Sequence, residues 1–223
     1  YYIFHNFVLS SNCWDLINST YNKKIPIIIT PIYSWPSLKF ALKSGSGLKN
    51  KLSLASYAII NNAHLFNKFT IVKNILEKAT KILPDSQIEA DLLIKRYNLS
   101  RNKFHPVPCG VDERFYKSNS KEFIKRYDLE NFVLYVGRID SRKNVLALIR
   151  VMNKTNLPLV IIGDSLPHQT NYYEMCKKIA NKNIHFLGKI NHESTLLESA
   201  YAAAKVVILP SFLETPGLSA LEG

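Results

Sequence analysis

Four short apolar runs in the second half of the chain, "NFVLYVGRI", "LPLVIIGD", "NIHFLGKI" and "KVVILPS", alternate with three stretches of helical spacing, "KNVLALIRVMNKT", "QTNYYEMCKKIANK" and "ESTLLESAYAAA". Runs this uniformly apolar suit strands buried on both faces. Strands joined by helix-sized links pair in parallel, because the link must carry the chain back across the sheet. The pattern predicts four parallel strands and three crossovers, an α/β fold. In such sheets ligands bind at the carboxyl ends of the strands, where loops lead into helix N-termini. Position at such an end is therefore the test for each candidate residue.

The first half repeats the alternation more loosely. "YYIFHNF" and "IPIIIT" read as strands around the helix-like "SNCWDLINSTYNK", and "TKILPDS" as a further strand followed by the helix "QIEADLLIKRYN". "NKFHPVPCGVD" is expected to form a last short strand. Between Gly110 and Asn131 the strand pattern lapses and charge rises, which places a boundary near Val111 to Tyr116 and two α/β domains at 1–115 and 116–223.

The net charge of +12 is uneven: residues 1–114 carry 15 Lys and Arg against 7 Asp and Glu, residues 115–223 carry 14 against 10. Such an excess fits an anionic partner, whether a phosphorylated small molecule or an anionic membrane surface. A Lys-, Asn- and Ile-rich composition would also produce much of it, so charge alone decides nothing. The basic residues are not interleaved with aromatics as on single-strand platforms, and no nucleic-acid partner is expected. Cys13, Cys109 and Cys176 are odd in number and show no C-x-x-C spacing, which favours free thiols in a reducing cytoplasm. The longest apolar run, "IPIIITPIYSW", holds two prolines and is too short to span a bilayer. The expected setting is cytoplasmic, with room for peripheral contact at the inner face of the membrane. The six histidines lack metal-ligand spacing, no D-x-D occurs, and no metal site or cofactor is expected. His192 and His185 read as surface or core packing. "SGSG" around Gly45 and Gly47 does not lead from a strand into a helix as a nucleotide loop would.

Two stretches pass the strand-end test. In "GRIDSRKN", Arg138 and Lys143 stand five apart across a strand-to-helix loop, so both cations can meet one anion, Arg as a fork and Lys as a point charge. A basic loop is by itself more often a solvated surface. In the closing "LPSFLETPGLSALEG", Thr215 can cap a helix whose first residue is Pro216, leaving the amides of Gly217, Leu218 and Ser219 as donors to an anion. Glu214 would lie just outside that helix and Glu222 about one and a half turns inside it, placed to hold hydroxyls on either side of a phosphate. Two glutamates eight apart also arise by chance, and Ser211 to Glu214 could be only a capping box. Taken together, the two loops outline an elongated ligand with a diphosphate at its middle.

Arranged as "YVGRID…KN", "VVILPS" and E-x7-E, after "ILPDSQIEADLLIKRYNLSRNKFHPVPCGVDERFY", the chain closely resembles the retaining GT-B glycosyltransferases of family 4 along essentially its full length. The resemblance implies two Rossmann-like domains with parallel sheets, both incomplete here. Residues 1–115 would be the rear of the N-terminal, acceptor-side domain and 116–223 the front of the C-terminal, nucleotide-sugar-binding domain. The chain would then be an internal fragment, inactive by itself. It implies transfer of a sugar from a UDP-, GDP- or ADP-sugar, with no cofactor, to a glycan, lipid-linked or small-molecule acceptor with retention of configuration. Arg138 and Lys143 would bind the donor diphosphate and stabilise the leaving nucleotide, Glu214 would contact the transferred sugar, and Glu222 the ribose hydroxyls. Leu187, Gly188, Lys189 and Ile190 would meet the base, and Gly163 with Asp164 would match the glycine-rich turn after the second strand. The histidine that family members often carry after the strand matching "IPIIIT" is missing, with Tyr33 the nearest substitute. Cys109 and Ser165 replace residues common in the family. A nucleotide-sugar epimerase or hydrolase, or a non-catalytic partner subunit, would share the same frame.

Overall fold

The computed structural model describes residues 2–8, 13–32, 67–212, 214 and 217–223. They divide into two compact units, with the change between Cys109 and Gly110.

The first unit holds a three-stranded parallel sheet of β1 (Tyr2–Val8), β2 (Ile27–Ile32) and β3 (Lys81–Ile82), in that order. In β2 burial alternates along the strand, with Ile27 and Ile29 fully enclosed, as a pleat with one face on the core requires. Helix α1 (Trp14–Asn22) follows β1 and turns Ile17 into the core. A helix absent from the sequence expectation, α2 (Asn67–Lys78), leads into β3 and buries Val72, Ile75 and Leu76. Helix α3 (Gln87–Tyr97) begins where Ser86 Oγ accepts from the Glu89 amide at 3.1 Å and Glu89 Oε2 accepts from the Asp85 amide at 2.8 Å, a nearly reciprocal cap. The expected strand over "NKFHPVPCGVD" is reduced to one bridge, Phe104 with Ile82. The His105 and Val107 amides still donate to the Ile82 and Pro84 carbonyls, but Pro84 has no N–H to donate back to this segment, and the ladder stops there.

The second unit opens with two short helices, α4 (Glu113–Tyr116) and α5 (Lys121–Tyr127). It continues through β4 (Phe132–Val136), α6 (Val145–Met152), β5 (Leu159–Ile162), α7 (Thr170–Ile179), β6 (Ile184–Gly188), α8 (Thr195–Ala203), β7 (Ala204–Val207) and α9 (Leu218–Leu221). All four strands are parallel, ordered β6-β5-β4-β7. The pleat divides the core in two. Val133, Tyr135, Leu159 and Ile161 join the layer under α6 and α7, while Phe132, Leu134, Val160 and Ile162 join the layer under α5 and α8. That is why these runs had to be apolar throughout. The buried Ser199 Oγ accepts from the Phe123 amide at 2.9 Å and ties α8 to the start of α5. No described helix is long and apolar enough to cross a membrane.

Candidate functional site

The strand order of the second unit fixes where a ligand can sit. From β4 the chain moves outward through β5 and β6, then returns past β4 to lay down β7, so loops on either side of the β4–β7 pair diverge and leave a crevice at their carboxyl ends. The loop after β4 carries Arg138 to Asn144, and the segment after β7 carries Ser211, Glu214 and Gly217.

Hydrogen bonds stitch these two segments together. The Phe212 amide donates to the Arg142 carbonyl at 3.0 Å, and Asn144 Nδ2 to the Pro210 carbonyl at 3.1 Å. Lys143 Nζ then reaches Glu214, donating to Oε1 at 2.6 Å and Oε2 at 2.8 Å. Ser211 Oγ donates to Oε1 at 2.5 Å, and Arg142 Nη1 stands 4.0 Å from Oε2. Only 14% of the Lys143 side chain and 23% of the Glu214 side chain are exposed. An ammonium and a carboxylate thus face each other at the rim of the sheet, able to offer one polar ligand both a cation and a hydroxyl acceptor.

The β4 loop is shaped from beneath. The Tyr135 hydroxyl, inside the core, donates to the Arg138 carbonyl at 2.6 Å, and burial pushes its phenol far above the ordinary range, so it remains a donor. Asp140, nearly enclosed, caps the 3-10 turn Ser141–Lys143 by accepting from the Lys143 amide at 2.9 Å. Arg138 Nε lies 3.8 Å from Asp140 Oδ2 with 53% of its side chain exposed, so its guanidinium is open to solvent while Lys143 is engaged. Gly163, at φ 144°, lets the strand ends close. A Cβ there would sit 1.9 Å from the Gly137 carbonyl oxygen. Its amide donates to Gly188 at 2.8 Å, and the Ile139 amide to Asp164 at 2.9 Å.

The remaining sequence candidates are distributed as follows. Leu187 and Ile190 pack against the α5–α8 layer, Lys189 is exposed, and Gly188 turns the chain at φ 69°. Thr215 and Pro216 lie outside the described residues. The helix expected from Pro216 onward begins instead at Leu218, with Gly217 as its N-cap at φ 76°. A Cβ on Gly217 would lie 3.4 Å from Glu214 Cβ, so the glycine lets the backbone run close beside that side chain. Over Leu218–Leu221 the Ala220 amide bonds to the Gly217 carbonyl and the Glu222 amide to the Leu218 carbonyl.

Glu222 follows Leu221, and its side-chain hydrogen bonds go to His192 and Tyr201, away from the Lys143–Glu214 pair. Its side chain is 7% exposed, with Tyr201 donating to Oε2 at 2.5 Å and His192 Nε2 at 2.8 Å from Oε1. His192 lies at the surface, as expected, and also has a specific polar partner there. Tyr135, Asp140, Asn144 and Tyr201 are not singled out by the sequence, and Ser211 only as a possible capping residue. Asp140 was discoverable, since it stands three residues before a site residue at a strand's carboxyl end.

Residues 117–223 match the family of glycosyl transferases group 1. Over 130 residues the chain is 29% identical to the D-rhamnosyltransferase WbpZ of Pseudomonas aeruginosa, covering 55% of this chain and 33% of that protein. It is 34% identical over 104 residues to the N-acetylgalactosamine-N,N'-diacetylbacillosaminyl-diphospho-undecaprenol 4-alpha-N-acetylgalactosaminyltransferase of Campylobacter jejuni, covering 46% and 28%. The matches thus span about a third of these relatives' length. Among solved structures, Anabaena Alr3699/HepE in complex with UDP superposes with a TM-score of 0.60 at 14% identity, covering 93% of this chain and 60% of that one. The lipopolysaccharide outer core galactosyltransferase WaaB, in its apo form, gives 0.53 at 14% identity, covering 94% and 56%. The fold is accordingly GT-B, with partial Rossmann-like α/β units built on parallel sheets.

Proposed function

We propose that the protein transfers a sugar from a nucleotide diphosphate sugar to the hydroxyl of a glycan or lipid-linked acceptor, with retention of configuration. The observation that carries this reading is the stitched β4–β7 crevice, where Lys143 and Glu214 meet at the switch point of the sheet. Similarity to the group 1 glycosyl transferases over residues 117–223 supports it, as does likeness to a solved structure that holds UDP. The Campylobacter relative, whose name includes diphospho-undecaprenol, supports a lipid-linked acceptor.

On this reading the diphosphate enters with Arg138, the more exposed cation, and then takes the ammonium of Lys143. As the bond from the sugar to the leaving phosphate breaks, negative charge grows on the phosphate oxygens, and the two cations stabilise it where it develops. Positive charge grows on the sugar ring, and Glu214, released from Lys143, faces that ring and its hydroxyls. Glu222 accepts from the nucleoside hydroxyls, with Leu187 to Ile190 beside the base. The acceptor hydroxyl attacks the sugar carbon from the face that the phosphate leaves and gives its proton to that phosphate, so retention needs no protein nucleophile.

The test is turnover of labelled UDP-, GDP- and ADP-sugars by the intact protein with and without acceptors. Release of free sugar without an acceptor, or no turnover of any donor, would overturn the proposal. In the same protein, Arg138→Ala and Lys143→Ala should each weaken nucleoside diphosphate binding by about one to two orders of magnitude, the worth of a charge-assisted hydrogen bond. Unchanged affinity in a folded double variant would remove the phosphate assignment.

A further inference from the structure

We propose that His192 and Tyr201 are positioning residues that hold the Glu222 carboxylate so that its remaining lone pairs meet the paired hydroxyls of a nucleoside. The inference rests on the reading of Glu222 as the nucleoside carboxylate.

A glutamate side chain is long and free to rotate unless other groups hold it. Two other elements remove that freedom. Tyr201, from α8, donates its hydroxyl to Oε2 at 2.5 Å, and burial raises its phenol well beyond the ordinary value, so it stays a donor across the working pH range. His192, from the loop after β6, places Nε2 2.8 Å from Oε1. Each carboxylate oxygen has two lone pairs and spends one on the protein, leaving one on each oxygen for a bidentate partner. A vicinal diol, with two O–H groups on adjacent carbons, is such a partner.

The histidine's orientation is itself determined. Arg114 Nη2 lies 3.0 Å from His192 Nδ1, and a guanidinium can only donate, so in the neutral ring Nδ1 accepts and Nε2 carries the proton that Glu222 receives. When the ring gains a second proton, Nδ1 turns donor toward Glu193 Oε1 at 3.3 Å, and the Nε2–H bond to Glu222 is retained. Arg114 is fixed in turn by Glu193 at 3.1 Å, Glu198 at 3.6 Å and Asp112 at 3.7 Å. The Glu222 bond therefore survives either protonation state, as a positioning contact should. Phe115 packs edge-on to Tyr201 at 5.3 Å and beside His192 at 5.6 Å, which keeps both rings in place.

The test is calorimetric titration of the intact protein with UDP, GDP and ADP in turn, using His192→Ala, His192→Gln, Tyr201→Phe and Glu222→Ala, with donor kinetics alongside. His192→Ala and Tyr201→Phe should each weaken nucleoside diphosphate binding roughly three- to tenfold, less than the loss of a direct charge-assisted contact, because each acts on the ligand only through the Glu222 carboxylate. They should raise the donor KM in parallel and leave kcat nearly unchanged. His192→Gln, whose amide can still donate, should recover most of the affinity. If Glu222→Ala weakens binding while His192→Ala and Tyr201→Phe match the wild type, the positioning role is wrong and the assignment of Glu222 stands. His192→Gln as weak as His192→Ala overturns the role of the donated hydrogen bond. If Glu222→Ala itself binds like the wild type, the nucleoside reading and this inference fall together.

Discussion

Replacing Glu214 by Gln should tighten the grip on a nucleoside diphosphate that carries no sugar. In the structure two of the three ammonium protons of Lys143 are directed at the Glu214 oxygens, at 2.6 and 2.8 Å, in a setting where neither side chain is more than a quarter exposed. A phosphate that takes Lys143 must break this pair and then lie close to the carboxylate it displaced. The pair is less exposed than the surface ion pairs that contribute almost nothing, so its worth is roughly 1–2 kcal/mol. Removing the competing charge while keeping the side chain's shape should return about that much to the ligand, a gain of about five- to thirtyfold in affinity. Calorimetric titration of the intact protein with UDP, GDP and ADP would measure it, with Lys143→Ala as the opposite control. The same variant should turn over sugar donor more slowly, because its neutral amide cannot balance charge on the ring. Equal or weaker binding of the free nucleotide by Glu214→Gln would refute the exchange of Lys143 from carboxylate to phosphate.

Three further outcomes follow from the geometry. Gly163→Ala drives a Cβ into the Gly137 carbonyl, a backbone atom that cannot turn aside, and should cost at least about 2 kcal/mol or roughly 4–8 °C in Tm; an unchanged melting curve would contradict the close approach of β4 and β5. The hydrogen bonds to Glu222 and then Glu193 raise the pKa of His192 above its ordinary 6.5, so its protonated form adds stability that is fully present below pH 6.5 and lost as pH rises through the raised value. Urea midpoints of the wild type and His192→Gln should accordingly differ most at the acidic end and converge at alkaline pH; a constant difference would exclude titration of this ring. Glu222→Ala should raise the donor KM together with the Kd of the nucleotide product, whereas Glu214→Ala should lower kcat more than it disturbs nucleotide binding, and the reverse pattern in steady-state kinetics would show the two ends of the ligand to be exchanged.

The second unit's strands were legible because burial on both faces leaves no room for polar residues: Phe132 to Tyr135 and Leu159 to Ile162 are apolar in sequence and enclosed in structure. Helix α2 carried an equally plain signal, since Ile71, Val72, Ile75, Leu76 and Ala79 follow helical spacing and all four from Val72 onward are fully or nearly fully buried. It was missed because no strand-like run announced it from the N-terminal side. The segment "NKFHPVPCGVD" approaches β3 but forms no strand with it, because Pro84 on the facing side has no N–H to return a bond. At the site, sequence spacing could place Lys143 and Glu214 at neighbouring strand ends, yet it could not show that they face each other across 71 positions of chain. The partners of Glu222 were beyond reach for the same reason, because Tyr201 and His192 meet it only once α8 and the loop after β6 have folded against the last turn.

The self-pairing of Lys143 and Glu214 also bears on how two residues with separate tasks can occupy one site. A lysine that is 14% exposed needs a counter-charge whenever no ligand is present, since an unpaired charge in such a place costs more than a paired one. Glu214 supplies it, held at the right place by Ser211 and by the close backbone at Gly217. A diphosphate carries more negative charge than one carboxylate and can also engage Arg138, whose guanidinium is half exposed and only loosely held at 3.8 Å from Asp140. On the proposed function, the anion competes best with Glu214 for the ammonium when it brings both phosphates to the loop. Binding and the freeing of Glu214 would then be one event, with the carboxylate released toward the sugar when a diphosphate is in place to receive the leaving charge.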